Sequence, residues 1–128
     1  MRDSSLYVHP DLENKKMFSK EFIDYLRNFK FSGDIYAVKE GSVVFPHEPL
    51  LVVKAKAIEA QLVETYLLLL LNHQSLIATK TNRIVRAANG RAVMEFGARR
   101  AQGSSAAILG ARSAYIAANI PPSVIDFI

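Results

Sequence analysis

The chain contains no cysteine. That excludes a disulfide framework and thiolate metal sites, and it fits a reducing compartment. Long apolar runs are missing too. The longest, residues 66–71, is far short of the roughly 20 residues that cross a bilayer. Residues 1–10 hold no apolar stretch of signal-peptide length. These absences predict a soluble, cytoplasmic protein with no membrane partner. There is no internal repeat, no P-loop, no Ser/His/Asp set and no metal-ligand spacing. His9, His47 and His73 stand apart from one another, and the sequence predicts no metal site. Basic residues exceed acidic ones, 16 to 12, but they are scattered and no basic run is interleaved with aromatics. The expectation is no nucleic-acid partner; a basic balance also suits a small anionic substrate.

What is present is globular material: 50% hydrophobic and 22% charged over 128 residues. Residues 1–16 are polar and without periodicity, and read as a flexible lead-in. Ser19 can cap a short helix bearing Phe22, Leu26 and Phe29 at helical spacing. From 31 to 57 the pattern changes to short β-branched runs cut by Glu40-Gly41 and by Pro46-His47-Glu48-Pro49. This predicts small antiparallel strands at 34–38, 43–45 and 50–53. Residues 58–88 read as one long helix. Glu59 and Glu64 lie near its start, Lys80, Arg83 and Arg86 near its end, and Asn89-Gly90 stops it. Its middle is apolar on every side, so it needs cover, as a core helix or as an interface. Residues 92–96 read as a strand, 97–103 as a loop, and 104–118 as a helix of small residues. Strand, glycine loop and helix form the unit of a parallel α/β fold.

The loop carries the chemistry. Glu95, Phe96, Gly97, Ala98, Arg99, Arg100, Ala101, Gln102 and Gly103 follow in order at the expected strand's C-terminal end, where α/β folds bind ligands. Two guanidiniums offer permanently charged donors for phosphate or carboxylate. Ser104 and Ser105 open a helix whose free N–H groups favour an anion. Phe96 can stack on a flat ring. The same residues also read as a surface salt-bridge pair and a core phenylalanine. His73 reads as a helix-packing residue that makes one hydrogen bond.

Several longer runs resemble one family. They are Tyr25-Leu26-Arg27-Asn28-Phe29-Lys30-Phe31-Ser32-Gly33-Asp34-Ile35-Tyr36-Ala37-Val38, Glu40 to Leu50, Ile58-Glu59-Ala60-Gln61-Leu62-Val63-Glu64-Thr65, and Asn72 to Lys80. With the Phe-Gly-x-Arg-Arg run at Phe96 they resemble, in order, the N-terminal region of nicotinate phosphoribosyltransferases. The resemblance implies an α+β / α/β fragment: a small β-sandwich-like N-terminal region, the long helix, and the first βα unit of an incomplete α/β barrel. It divides the chain into 1–16, an N-terminal α/β region at 17–90, the βα unit at 91–119, and a divergent tail at 120–128. It implies nicotinate and phosphoribosyl pyrophosphate as substrates, ATP and Mg as the family's cofactors with none bound to this chain, and a homo-oligomer. Phe96 would stack on the pyridine ring, Arg99 would contact phosphoribosyl pyrophosphate, and Arg100 is its motif neighbour. The family's phosphorylated histidine is expected downstream, so no catalytic residue is assigned within the chain. Tyr7 is a poor match for the family's opening tyrosine, and Ser104-Ser105 replaces its usual Pro-Asp. The resemblance therefore implies a partial enzyme, inactive alone. The alternative is a non-catalytic interaction module using the helix face from Leu67 to Leu71.

Overall fold

The computed structural model describes residues 17–119, and the expectations for 1–16 and 120–128 lie outside them. The order is α1 (Lys20–Arg27), β1 (Asp34–Ala37), β2 (Leu51–Lys54), α2 (Ala57–Ala88), a 3-10 turn (Gly97–Arg100) and α3 (Ser104–Ala118). This is a small α+β arrangement.

Ser19 caps α1 as its sequence predicts, its hydroxyl accepting the Phe22 N–H at 3.3 Å. Ile23 is the buried residue of α1. The Phe18, Phe22, Tyr25 and Phe29 rings follow one another along the helix with centroids 5.3 to 6.4 Å apart. That i, i+3/i+4 succession is the helical spacing of aromatic neighbours.

β1 and β2 pair antiparallel, with Ile35 opposite Val53 and Tyr36 opposite Val52. Leu51 and Val53 are half-buried while Val52 and Lys54 are exposed, the alternation of a strand covered on one face, whereas β1 is exposed throughout. The strand expected at 43–45 is absent. The backbone there is spent on turns instead: Glu48 N–H donates to the Phe45 carbonyl, Phe45 N–H donates to the Glu48 carboxylate, and His47 adopts φ 71°. A residue whose N–H and C=O are engaged locally has none to offer a ladder.

α2 runs 32 residues, one residue earlier than its sequence predicts, and ends at Asn89 in the left-handed region. α3 occupies the predicted residues, 104–118. Three contacts between α2 and α3 rise together along both helices. The His73 ring meets the Ala106 carbonyl at 3.4 Å, Ile77 lies against Gly110, and Asn82 Nδ2 donates to the Ala117 carbonyl at 3.2 Å. The two helices therefore run parallel. Between their facing ends the chain must travel back about 25 Å along α2, some 17 residues at 1.5 Å each.

Residues 89–103 make that return, and within them 91–96 form no strand. This corrects the expected strand at 92–96. A strand exists only with a neighbour to take its hydrogen bonds, and the described sheet contains β1 and β2 alone. The expected loop at 97–103 also differs, since its first four residues wind into the 3-10 turn.

Buried apolar residues are few among those described: Ile23, Ala114 and Ala117. The cover that the middle of α2 calls for is incomplete, since Tyr66, Leu68 and Leu69 are exposed. No helix among the described residues is long and apolar enough to cross a membrane.

Candidate functional site

The 3-10 turn and the start of α3 hold the residues singled out by sequence. Phe96 precedes the turn and is 67% exposed, so the reading as a core phenylalanine is overturned. Arg99 and Arg100 end the turn, both exposed, and neither has a partner among the described residues. That corrects their reading as a surface salt-bridge pair. The Glu95 carboxylate folds back to accept the Gly97 N–H, which holds the entry to the turn. Gly103 caps α3 at φ 97°, a conformation that disfavours any residue with a Cβ. No side chain caps α3, so the first N–H groups of Ser104 and its followers stay open to an anion. Phe96, Arg99, Arg100 and this helix start thus share one stretch of chain on an open surface. An aromatic ring, two fixed positive charges and a helix start are the groups that would hold a flat anion and a phosphate.

A second feature was not legible in the sequence. Glu59 is 4% exposed, and its carboxylate accepts the Ser32 N–H at 2.9 Å and the Ser32 hydroxyl at 2.9 and 3.0 Å. The Ser32 backbone N–H holds this carboxyl below the ordinary glutamate range. Burial opposes the shift, and the Ser32 hydroxyl and Lys56 reinforce it. A glutamate in a first turn signals only a favourable dipole, and its partner lies 27 residues earlier. A third link joins Arg112 of α3 to Glu40 as a two-point ion pair, with Nη2 2.6 Å from Oε2. The Arg112 hydrogen bond lowers the Glu40 pKa. Beside the pair, a Cβ at Gly41 would come within 3.4 Å of Ile116 Cγ2.

An apolar groove of about 460 Å³ lies between β2 and the first half of α2, lined by Leu51, Val53, Leu67, Leu68 and Leu71. It does not include the Arg99 turn. Among the described residues, no three His, Asp or Glu side chains cluster as metal ligands.

A family model described as the nicotinate phosphoribosyltransferase (NAPRTase) N-terminal domain matches residues 11–72. A Mycobacterium tuberculosis nicotinate phosphoribosyltransferase is 50% identical over 100 residues, covering 78% of this chain and 22% of the relative. The Bacillus subtilis nicotinate phosphoribosyltransferase is 46% identical over 105 residues, covering 82% and 21%. One from Dictyostelium discoideum is 48% identical over 99 residues, covering 76% and 17%. The chain spans about a fifth of the length of these relatives. A stretch of 105 residues within 128 has to include residues 24–105, so Phe96, Arg99 and Arg100 lie inside the Bacillus subtilis match. No solved structure matches the chain.

Proposed function

We propose, from the premise that this chain belongs to the nicotinate phosphoribosyltransferase family through its N-terminal region, that it supplies the ring-stacking and phosphate-binding part of a nicotinate phosphoribosyltransferase site. The carrying observation is identity near 50% over 100 residues, in company with an exposed aromatic and two unpartnered arginines at one helix start. The reaction is the transfer of a phosphoribosyl group to nicotinate in the cytoplasm, one step of NAD synthesis. The pyridine nitrogen bonds to the ribose C1 carbon as the bond from that carbon to pyrophosphate breaks.

Phe96 stacks on the ring. Arg99 holds the phosphates, with Arg100 beside it, and positive charge there stabilises the leaving pyrophosphate as negative charge gathers on it. ATP and Mg belong to the family's chemistry. Among the described residues, no three His, Asp or Glu side chains cluster as ligands for the metal.

The parallel course of α2 and α3 supports the finer reading of 91–119 as a βα unit of a barrel. Residues 91–96 lie in sequence between two parallel helices, the place a strand takes in a βα unit, and a strand there would need neighbouring strands to accept its hydrogen bonds. The same openness argues against catalysis by these residues alone. Electrostatic and positional catalysis needs a rigid, water-excluding pocket, and Phe96, Arg99 and Arg100 face solvent.

The test is direct. The purified chain is given nicotinate, phosphoribosyl pyrophosphate, magnesium and ATP, and no nicotinate mononucleotide is expected. Pyrophosphate binding, measured by titration calorimetry, is expected to weaken roughly tenfold in Arg99→Ala, the loss of one charged hydrogen bond. Equal affinity in both proteins rejects the site.

A further inference from the structure

α3 lies on α2 through small residues. Its buried positions are Ser113, Ala114 and Ala117, and Gly110 faces Ile77. A small side chain offers few atoms to interlock with its neighbours, so it fixes position weakly. Directional bonds are then what set α3 along and around α2, and they reach it along its length. The His73 ring meets the Ala106 carbonyl at 3.4 Å, Arg112 pairs with Glu40, and Asn82 Nδ2 donates to the Ala117 carbonyl at 3.2 Å. Glu40 and Asn82 hold the later turns. His73 holds the first turn, where the anion site lies.

The bond has a defined direction. A ring nitrogen beside a carbonyl oxygen is stabilising only when it carries the hydrogen, so the contact selects His73 Nε2–H as donor. The peptide unit that receives it joins Ala106 to Ala107, and the N–H of that unit donates in turn to the Gly103 carbonyl at 3.1 Å. This second bond closes the first turn of α3. Hydrogen bonds in such a chain polarise and strengthen one another. His73 therefore reinforces the bond that ties Gly103, the cap, to the helix. The N–H groups left open by that turn are those of Ser104, Ser105 and Ala106. Their pull on an anion is confined to the first turn, so fraying there removes it.

We propose that His73 is a positioning residue of the anion site: it holds the first turn of α3 so that the open N–H groups face the same phosphate as Arg99. It touches no substrate itself. The inference rests on the phosphoribosyl reading of that site and adds a residue on α2 that the reading does not use.

Pyrophosphate titrated into the full 128-residue chain tests it, with folding followed by circular dichroism. His73→Ala is expected to weaken pyrophosphate binding roughly three- to tenfold, the weight of one neutral hydrogen bond. His73→Gln, whose amide can still donate, should recover most of that loss. Asn82→Ala removes a bond of the same kind at the other end of α3 and should leave the affinity unchanged. A merely structural role for His73 would not separate these two alanine variants. Unchanged affinity in His73→Ala overturns the proposal, as does an equal loss in Asn82→Ala, or a His73→Gln no better than His73→Ala. Arg99→Ala, titrated alongside, keeps the two readings apart. If it weakens binding and His73→Ala does not, the positioning role alone falls; if it has no effect, the site itself falls. Should His73→Ala fail to fold, the ring reports directly in the unsubstituted chain. Its nuclear magnetic resonance signals should shift when pyrophosphate is added, and signals that stay in place overturn the proposal.

Discussion

The Glu59 carboxylate sits almost out of solvent and accepts both the N–H and the hydroxyl of Ser32, so it ties the segment before β1 to the first turn of α2. Its pKa in the folded chain is depressed. A depressed carboxylate contributes stability above its unfolded pKa and loses it as pH falls through the folded value. Unfolding by urea should therefore become easier below about pH 4, where an unperturbed glutamate protonates. Glu59→Gln should lower the urea midpoint at pH 7 and flatten the acid limb of the profile. Parallel profiles for the two proteins would show that this group is not the one titrating. Neither Ser32 nor Glu59 announces the pairing in the sequence, because nothing local sets their distance. His73 is the opposite case. Its place amid a helical run already marked it as a packing residue with one hydrogen bond, and it meets the Ala106 carbonyl. Phe96 was open to two readings by composition alone, and only its exposure decided between them.

At the scale of elements, the helices were legible because their signals are local. Ser19, Asn89 and the alanine-rich run of α3 each mark a boundary where the backbone places one. The strands were legible only where a partner lies within the described chain. β1 and β2 have each other, while 43–45 turn locally and 91–96 have no neighbour. Pairing is a property of two segments, and a pattern in one cannot supply the other. Helix packing makes its own prediction. A Cβ on Gly110 would lie 3.3 Å from Ile77 Cδ1, so the small residue is what lets α3 approach α2. Gly110→Leu should push the helices apart and cost about 1–3 kcal/mol, the range for overpacking a contact. Urea unfolding followed by circular dichroism reads the change. An unchanged midpoint would mean that the α2–α3 contact contributes little to stability.

The whole molecule presents much apolar surface and few buried apolar residues among those described. Exposed patches of this kind mark places where other protein is expected to bind. They include the groove beside β2, lined by Leu51, Leu67 and Leu71, and the exposed Tyr66, Leu69 and Leu76 of α2. The relatives are about five times as long as the region they share with this chain. The site proposed around Phe96, Arg99 and Arg100 is therefore best tested within the full length of a relative. The most direct measurement is a chimaera in which the aligned region of the Bacillus subtilis relative is replaced by the matching residues of this chain. The chimaera is expected to form nicotinate mononucleotide from nicotinate and phosphoribosyl pyrophosphate. Arg99→Ala within it should lower kcat/KM by roughly tenfold or more, as expected for a lost charged contact to the leaving group. A folded chimaera that makes no product, or one whose rate ignores Arg99→Ala, would contradict the account.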